Sequence, residues 1–225
     1  MTKTQTNSYT IIDEAFSRDL AQSLLEIQAV ILRPNDPFTW TSGWRSPIYC
    51  DSRLTILYPE LRKRIADTFS DFIRNRYTDI SVLTGTSTAG IPHTAWIADR
   101  LELPMSYVRA KAKAHGMGNQ IEGRVRKGEH TVVIEDLIST GGSALSVIDA
   151  LEFIGAHVDG LLTIFTYGFN IAHEKLDKAG VEVHCLTDYS TLISVAVEKG
   201  YVDQADLELL SQWRESPDTW PKTRT

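Results

Sequence analysis

From residue 59 onward, short apolar runs alternate with segments of helical periodicity. The short runs are typical of buried strands, and in the segments between them apolar residues recur at three- and four-residue spacing. Parallel strands need a crossover connection, usually a helix, so this alternation predicts βαβ units. We therefore expect an α/β fold with a central, mostly parallel sheet flanked by helices on both faces.

The periodicity also predicts where the elements of this part lie. Strands are expected at residues 80–83, 105–108, 131–134, 158–166 and 181–185. Helices are expected at residues 59–77, 90–101 and 143–154, in a segment that ends at Gly180, and at 190–199 and 203–214. A polar tail follows from residue 216 and is expected to be frayed.

The N-terminal part has a different pattern. Apolar residues recur at helical spacing from Ile11 to Ile27, and Ser8 and Thr10 precede them as capping candidates. The residue before a proline avoids the α region, so this helix is expected to end near Arg33, directly before Pro34.

Turn signals separate short β-prone pieces between residues 35 and 58. The pieces are residues 38–40 and 48–50, which predict a strand-and-turn appendage too short to be an independent domain. We expect one domain over residues 1–225, with a small N-terminal hood over about 1–58 and a core over about 59–215.

Composition excludes several classes of protein. The chain has 23 Lys and Arg against 29 Asp and Glu, a net charge of −6, which disfavours nucleic acid as a partner. No apolar run approaches the roughly 20 residues that span a bilayer, and the N-terminus lacks the apolar region of a signal peptide, so no membrane association is expected. Cys50 and Cys185 stand apart without metal-ligand spacing, which favours the reducing cytoplasm.

The segment from Val132 to Ser143 carries the sharpest chemical signal. A buried strand runs into two adjacent acids, Glu135 and Asp136, and then into a turn rich in hydroxyl groups and glycine that opens a helix. Glycine lets the backbone approach an anion, and a helix N-terminus offers unpaired N–H donors. Carboxylates suit sugar hydroxyls or a phosphate-bound Mg²⁺. The segment predicts a site for a phosphorylated sugar; the alternative is an ordinary turn with Ser143 as N-cap and a solvated acid pair.

A second glycine-containing turn covers residues 84–92. It resembles half of a Walker A loop, but Ile91 stands where that loop requires lysine, which disfavours a nucleoside triphosphatase. Backbone amides with the hydroxyls of Thr86, Ser87 and Thr88 could form a second anion site. A plain strand-to-helix turn explains this pattern equally well.

Basic side chains cluster after the strand at 105–108, where Arg109, Lys111, Lys113 and His115 occupy alternate positions. Residues 109–115 contain three Lys or Arg, against about 0.7 expected for seven residues from the composition of the chain. The long connection that follows is typical of a functional lid, here a cationic one aimed at a polyanion. A solvated basic hairpin is the alternative. Together with the two turns, the cluster fits phosphoribosyl diphosphate.

These residues resemble those of the type I phosphoribosyltransferases and, within that group, the orotate phosphoribosyltransferases. The similarity covers roughly residues 36–143. It is carried by Phe38 to Gly43, Ser46 to Tyr49, Gly85 to Pro92, Tyr107 to Arg109, Lys113 to Gly116, Ile121 to Gly123, and Glu135 to Ser143. It implies the type I phosphoribosyltransferase fold and a glycosyltransferase that moves ribose 5-phosphate from phosphoribosyl diphosphate to orotate. It also implies Mg²⁺ and a homodimer in which the basic loop covers the neighbouring active site.

The resemblance further implies a role for each site residue. Arg109, Lys113 and His115 would contact the diphosphate as the catalytic groups, with Lys111 in the same basic strip. Glu135 and Asp136 would meet the ribose hydroxyls. The 5′-phosphate would be wrapped by Leu137, Ile138, Ser139, Thr140, Gly141, Gly142 and Ser143, with Ser139 also near orotate. The residues themselves, rather than the resemblance, place Thr86 in the second anion site, and Tyr49 either stacks on orotate or packs as a core aromatic.

Two features depart from that family's usual pattern. Thr41 stands where many members have lysine, and no arginine follows the strand that ends at Thr166. Arg45 and loop amides are the candidates to meet the carboxylate of orotate. The rival functions are a phosphoribosyltransferase for another base, and a non-catalytic regulator that senses phosphoribosyl diphosphate.

Overall fold

The computed structural model describes residues 9–40, 43–110 and 120–220. Its strands are β1 (Tyr9–Ile11), β2 (Val30–Leu32), β3 (Phe38–Thr39), β4 (Arg45–Ser46), β5 (Ile48–Cys50), β6 (Val82–Thr86), β7 (Met105–Val108), β8 (Ile121–Glu122), β9 (His130–Ile138), β10 (His157–Thr166) and β11 (Val183–Asp188). Its α-helices are α1 (Glu14–Glu26), α2 (Pro59–Arg76), α3 (Gly90–Leu101), α4 (Gly142–Phe153), α5 (Asn170–Ala179), α6 (Tyr189–Glu198) and α7 (Leu207–Glu215). 3-10 helices cover Ser52–Leu57 and Gln204–Asp206.

A seven-stranded sheet forms the centre, in the order β1-β11-β10-β9-β6-β7-β8. Every neighbouring pair is parallel except β7 with β8. The predicted α/β class, with a mostly parallel sheet between helices, is confirmed. Because the strands run the same way, the carboxyl ends of β6, β7 and β9 meet at one edge, where open α/β sheets bind their ligands.

Helices cover both faces of this sheet and enclose two apolar cores. One core contains residues of α1, α2, α3 and α6, and the other contains residues of α4 and α5. Consecutive residues of β9 divide between them: Val132 and Ile134 join the first core and Val133 the second. This is the alternation that a strand buried on both faces requires, and it explains the unbroken apolar run in its sequence.

The predicted N-terminal helix is wrong at both ends. Residues Tyr9–Ile11 instead pair with Val183–Cys185 as the edge strand β1, so this part of the expected hood lies in the central sheet. Helix α1 begins after Asp13, whose side chain accepts a hydrogen bond from the Phe16 N–H at 2.8 Å. It ends at Glu26, well before the proline, and Val30–Leu32 forms a strand. Ile11 before the helix and Val30 after it belong to these strands.

The expected strand-and-turn appendage is present between residues 35 and 58. It contains the antiparallel pair β3–β4, the strand β5, which pairs with β2 from outside this range, and the 3-10 helix Ser52–Leu57. The Trp213 side chain of α7 donates from Nε1 to the Arg45 carbonyl oxygen at 3.0 Å, which anchors the appendage to the rest of the chain.

Most helix bounds in the core agree with the prediction to within one or two residues, but several strands extend further toward their carboxyl ends. The strand expected at 131–134 continues to Ile138, because Glu135 and Leu137 still pair with β10. β6 and β11 likewise lie two or three residues later than expected and end on polar residues. Polar residues suggest a loop, but here their backbones complete the ladder.

Gly90 permits close contact between the start of α3 and β9. A Cβ atom there would lie 2.5 Å from the Ile134 carbonyl oxygen, a backbone atom that cannot rotate away. We expect Gly90→Ala to lower the free energy of unfolding by about 2 kcal/mol, the usual cost of overpacking. Urea denaturation measures this change in the free energy of unfolding. In the control Gly142→Ala, nothing lies within 4 Å of the new Cβ, and a change of under about 0.5 kcal/mol is expected. Equal midpoints for the two variants would contradict the close contact.

Within the ranges that the structure describes, no helix is both long enough and apolar enough to cross a membrane. Cys50 and Cys185 are both free thiols.

Candidate active site

The glycine turn after β9 leads directly into α4. Gly141 adopts a left-handed conformation with φ of 76°, which glycine allows at little cost, and α4 begins at the next residue. Residues 137–144, together with Glu135, line a cavity of about 340 Å³. The turn thus leaves open space where the first N–H groups of a helix offer an anion site.

The alternative interpretation of this turn is wrong. Gly141, not Ser143, occupies the N-cap position, and no side chain among the described residues caps α4. Ser143 lies one residue inside the helix and is exposed, as is Gly142. The first turn also contains no acidic residue, so nothing there repels an anion.

Glu135 is buried rather than solvated. The residue is only 4% exposed, and its Oε2 atom has no hydrogen-bond partner among the described residues. Burial, followed by the nearby charge of Asp136, raises the pKa of Glu135 well above its ordinary value. The Thr86 side chain, at the end of β6, is also buried, and its hydroxyl lies close enough to Glu135 to offset part of this rise in pKa. Native structures seldom leave a buried polar atom unpaired, so Oε2 of Glu135 marks a candidate position for a ligand.

Asp136 is held by a residue that the sequence patterns did not indicate. The Ser52 hydroxyl, in the 3-10 helix of the appendage, donates a hydrogen bond to Oδ2 of Asp136 across a separation of 84 residues. Asp136 also donates its own backbone N–H to Oε1 of Glu135 at 3.2 Å. No local motif marks Ser52, because the contact exists only once the appendage packs beside β9.

A second cavity, of about 630 Å³, adjoins the first and is largely aromatic. It is lined by Phe38, Thr39, Trp40, Trp44, Tyr49, Cys50, Leu137, Ser139, Thr140 and Tyr167. Leu137, Ser139 and Thr140 line both cavities. Aromatic walls suit a planar ring, so this cavity has the character of a base site beside the phosphate turn.

Tyr49 lies in the wall of the aromatic cavity and is 41% exposed, so it is not a core aromatic. Its ring contacts Phe38, with the centroids 5.8 Å apart. Arg45, a candidate to meet a carboxylate, does not line the cavity, and the described lining residues carry no charged side chain. Thr41 lies outside the described residues.

Arg109 follows β7 at the same edge of the sheet. Its Nη1 atom lies 3.2 Å from Oε1 of Glu122, and its backbone N–H donates to the Gln120 carbonyl oxygen at 2.9 Å. The ion pair is partly exposed, so an anion could compete for Arg109 at small cost. The other predicted members of the basic strip, Lys111, Lys113 and His115, lie outside the described residues.

Comparison with known proteins agrees with this geometry. Residues 54–198 match the family described as phosphoribosyl transferase domain. Orotate phosphoribosyltransferase from Bacillus cereus (strain B4264) is 52% identical over 200 residues, which cover 89% of this chain and 95% of that protein. The protein of the same name from Listeria monocytogenes serotype 4b (strain F2365) is 50% identical over 208 residues, 92% of this chain and all of its own length.

Among solved structures, that of orotate phosphoribosyltransferase from Aeropyrum pernix is similar, with a TM-score of 0.70 and 29% sequence identity. The match covers 82% of this chain and 99% of that one. Sequence and structure therefore agree over most of the length of both proteins, and the chain belongs to the phosphoribosyltransferase family and, within it, to the orotate phosphoribosyltransferases.

Proposed function

We propose that this chain transfers the ribose 5-phosphate group from phosphoribosyl diphosphate to a ring nitrogen of orotate. The products are orotidine 5′-monophosphate and diphosphate, a step of de novo pyrimidine synthesis. The observation that carries the proposal is the pair of adjoining cavities, one at the glycine turn before α4 and one with aromatic walls. Their common border at Ser139 and Thr140 suits a sugar phosphate and a base that must react with each other.

In this function each cavity binds a different part of the substrates. Glu135 and Asp136 accept hydrogen bonds from the ribose hydroxyls, and residues 137–143 surround the 5′-phosphate with N–H and hydroxyl donors. The aromatic cavity takes the base, with Tyr49 against its face. Ser139 and Thr140, which border both cavities, lie where the phosphate and the base come close together.

Breaking the bond between the anomeric carbon and oxygen develops positive charge on the sugar and negative charge on the departing diphosphate. No covalent nucleophile is required, so catalysis is electrostatic. Arg109, with Lys111, Lys113 and His115 of the basic strip, supplies positive charge to the leaving group. His115 can also donate a hydrogen bond or a proton to it. Closure of the strip over the site would keep water from the cationic sugar.

The acid pair fits Mg²⁺ only in part. Oxygen ligands are those that Mg²⁺ prefers, and Glu135 has a buried oxygen without a partner among the described residues. The described residues contain no group of three or more His, Cys, Asp or Glu that could hold a metal. Mg²⁺ would therefore be held mainly by the diphosphate, with Glu135 and Asp136 as the protein's contribution. When bound, it neutralises charge on the diphosphate.

The assembly and location of the protein are also part of this proposal. We infer, from the family to which the chain belongs, a homodimer in which the basic loop reaches the neighbouring active site. The cytoplasm, favoured by two unpaired cysteines, stays a prediction.

Orotate loses its ultraviolet absorbance when it becomes the nucleotide, and this tests the function directly. We expect absorbance loss on mixing the protein with orotate, phosphoribosyl diphosphate and Mg²⁺. We expect no product with uracil, adenine, hypoxanthine or guanine under the same conditions. Turnover of one of those bases would assign a different phosphoribosyltransferase. Donor binding without turnover of any base would instead identify a sensor of phosphoribosyl diphosphate.

A further inference from the structure

We propose that Ser52 is a positioning residue for phosphoribosyl diphosphate, and that its hydroxyl orients the Asp136 carboxylate toward the ribose. The inference rests on the proposed function, because it assumes that Asp136 meets the ribose hydroxyls. It adds a residue from the N-terminal appendage to a site otherwise built from the carboxyl edge of the central sheet.

The hydrogen bond from Ser52 to Asp136 is the first support. Ser52 is 2% exposed, and its hydroxyl donates to Oδ2 of Asp136. Asp136 is only partly buried, so without this donor its carboxylate could turn toward water. A hydrogen bond to an ionised group is among the strong ones, and it sets direction as well as distance. Ser52 can therefore hold the carboxylate in a single orientation before the donor arrives.

Ser52 is itself held rigidly. The Thr55 hydroxyl donates to the Ser52 carbonyl oxygen at 2.6 Å, and Thr55 is fully buried. The same hydroxyl lies 3.3 Å from Nε2 of His93 in α3. Burial lowers the pKa of His93 to about 4, so the ring is neutral near pH 7. The Thr55 hydroxyl donates its one proton to the Ser52 carbonyl oxygen, so toward His93 it can only accept a hydrogen bond. The ring proton of His93 is therefore on Nε2. Ser52 is thus anchored through Thr55 to α3.

Ser52 lies in a short segment that also lines the aromatic cavity. Tyr49 and Cys50, three and two positions earlier, line the aromatic cavity. Between them and Ser52, Asp51 accepts a hydrogen bond from the Arg53 N–H at 3.2 Å and pairs with the Arg53 side chain at 2.6 Å. One short segment therefore contacts the base cavity at one end and the acid pair at the other. Fixing Asp136 from this segment aligns the ribose with the base that attacks it.

A double-mutant cycle tests whether Ser52 acts through Asp136. Binding of phosphoribosyl diphosphate with Mg²⁺ is measured by calorimetry, without orotate, for the wild type, Ser52→Ala, Asp136→Ala and the double variant. We expect Ser52→Ala to raise the Kd about tenfold, as for loss of one hydrogen bond to a charged group, with little change in KM for orotate. In the Asp136→Ala background, where Ser52 has no carboxylate to orient, we expect Ser52→Ala to have little further effect.

Ser70→Ala is the matched control. Ser70 is also 2% exposed, and its hydroxyl is also bonded, to the Ala66 carbonyl oxygen at 2.7 Å, but it lies in α2 away from the site. We expect wild-type binding from this variant. Ser52→Cys puts a slightly larger thiol, a weaker donor, in place of the hydroxyl, so an intermediate Kd is expected, and it serves if the alanine variant does not fold.

Two results would overturn the proposal. One is unchanged binding in both Ser52 variants, and the other is an equal loss from Ser52→Ala with and without Asp136. Failure of the proposed function is a separate outcome: the wild type would then bind the donor without consuming orotate, while the cycle would still report on Ser52.

Discussion

Replacing Lys113 by alanine is expected to lower kcat about 10²-fold, with a much smaller rise in KM for phosphoribosyl diphosphate. The reason is that negative charge on the diphosphate grows as its bond to the sugar breaks, so a cation placed there stabilises the transition state more than the bound substrate. One such interaction in a site that excludes water contributes about 3 kcal/mol. Initial rates at varied donor concentration separate kcat from KM.

Lys127→Ala provides the control for this prediction. Lys127 is exposed and packs its stem beside Gly155, next to the amino end of β9 and away from the candidate site. The same loss of one positive charge there should leave both constants unchanged. Equal effects of Lys113→Ala on kcat and on KM, or no effect, would contradict the assignment of the strip to the leaving group.

Replacing Glu135 by glutamine is expected to lower kcat about 10²-fold while making the ligand-free protein more stable. The activity falls because positive charge on the sugar favours the ionised carboxylate, which an amide cannot provide.

Mixing this variant with Lys113→Ala also tests the shared active site. If the loop acts on the neighbouring subunit, a mixed dimer has one site with both native residues and regains activity; if it acts within its own subunit, no activity returns.

The size of this gain in stability depends on pH. The pKa of Glu135 is raised by folding, so above an ordinary carboxyl pKa of 4.5 the unfolded chain releases a proton that the folded chain retains. Wild-type stability therefore falls by up to about 1.4 kcal/mol for each pH unit above that value, until the raised pKa is reached. The glutamine variant does not titrate, so its advantage should be absent near pH 4 and grow toward pH 7.

Thermal unfolding across this pH range measures the difference. For a domain of this size, Tm should differ by about 2–4 °C for each kcal/mol. Glu152→Gln is the control, because Glu152 lies exposed on α4, and its substitution should leave the pH dependence of Tm unchanged. A lower Tm for Glu135→Gln at pH 7, or a difference that does not vary with pH, would show that burial does not hold the proton on Glu135.

Much of the fold could be predicted from the sequence. The period of the apolar residues indicated the parallel sheet, and the bounds of α3 and β7 agree with the prediction. The acids at 135–136 and the glycine turn after them pointed to the sugar-phosphate site, because a strand, an acid pair and a helix start are adjacent in the chain. Helices and strands repeat with a fixed period of a few residues, so interactions between near neighbours in the chain appear as patterns in the sequence.

Contacts between distant segments had no such pattern. The pairing of Tyr9–Ile11 with β11, the burial of Glu135 and the hydrogen bond from Ser52 to Asp136 all depend on residues brought together by packing. The aromatic cavity is likewise assembled from the appendage and the end of the sheet. The amino-acid order thus specifies which groups are available and which elements carry them. Packing sets their partners and their exposure to water, because a distant contact leaves no periodic trace in the chain.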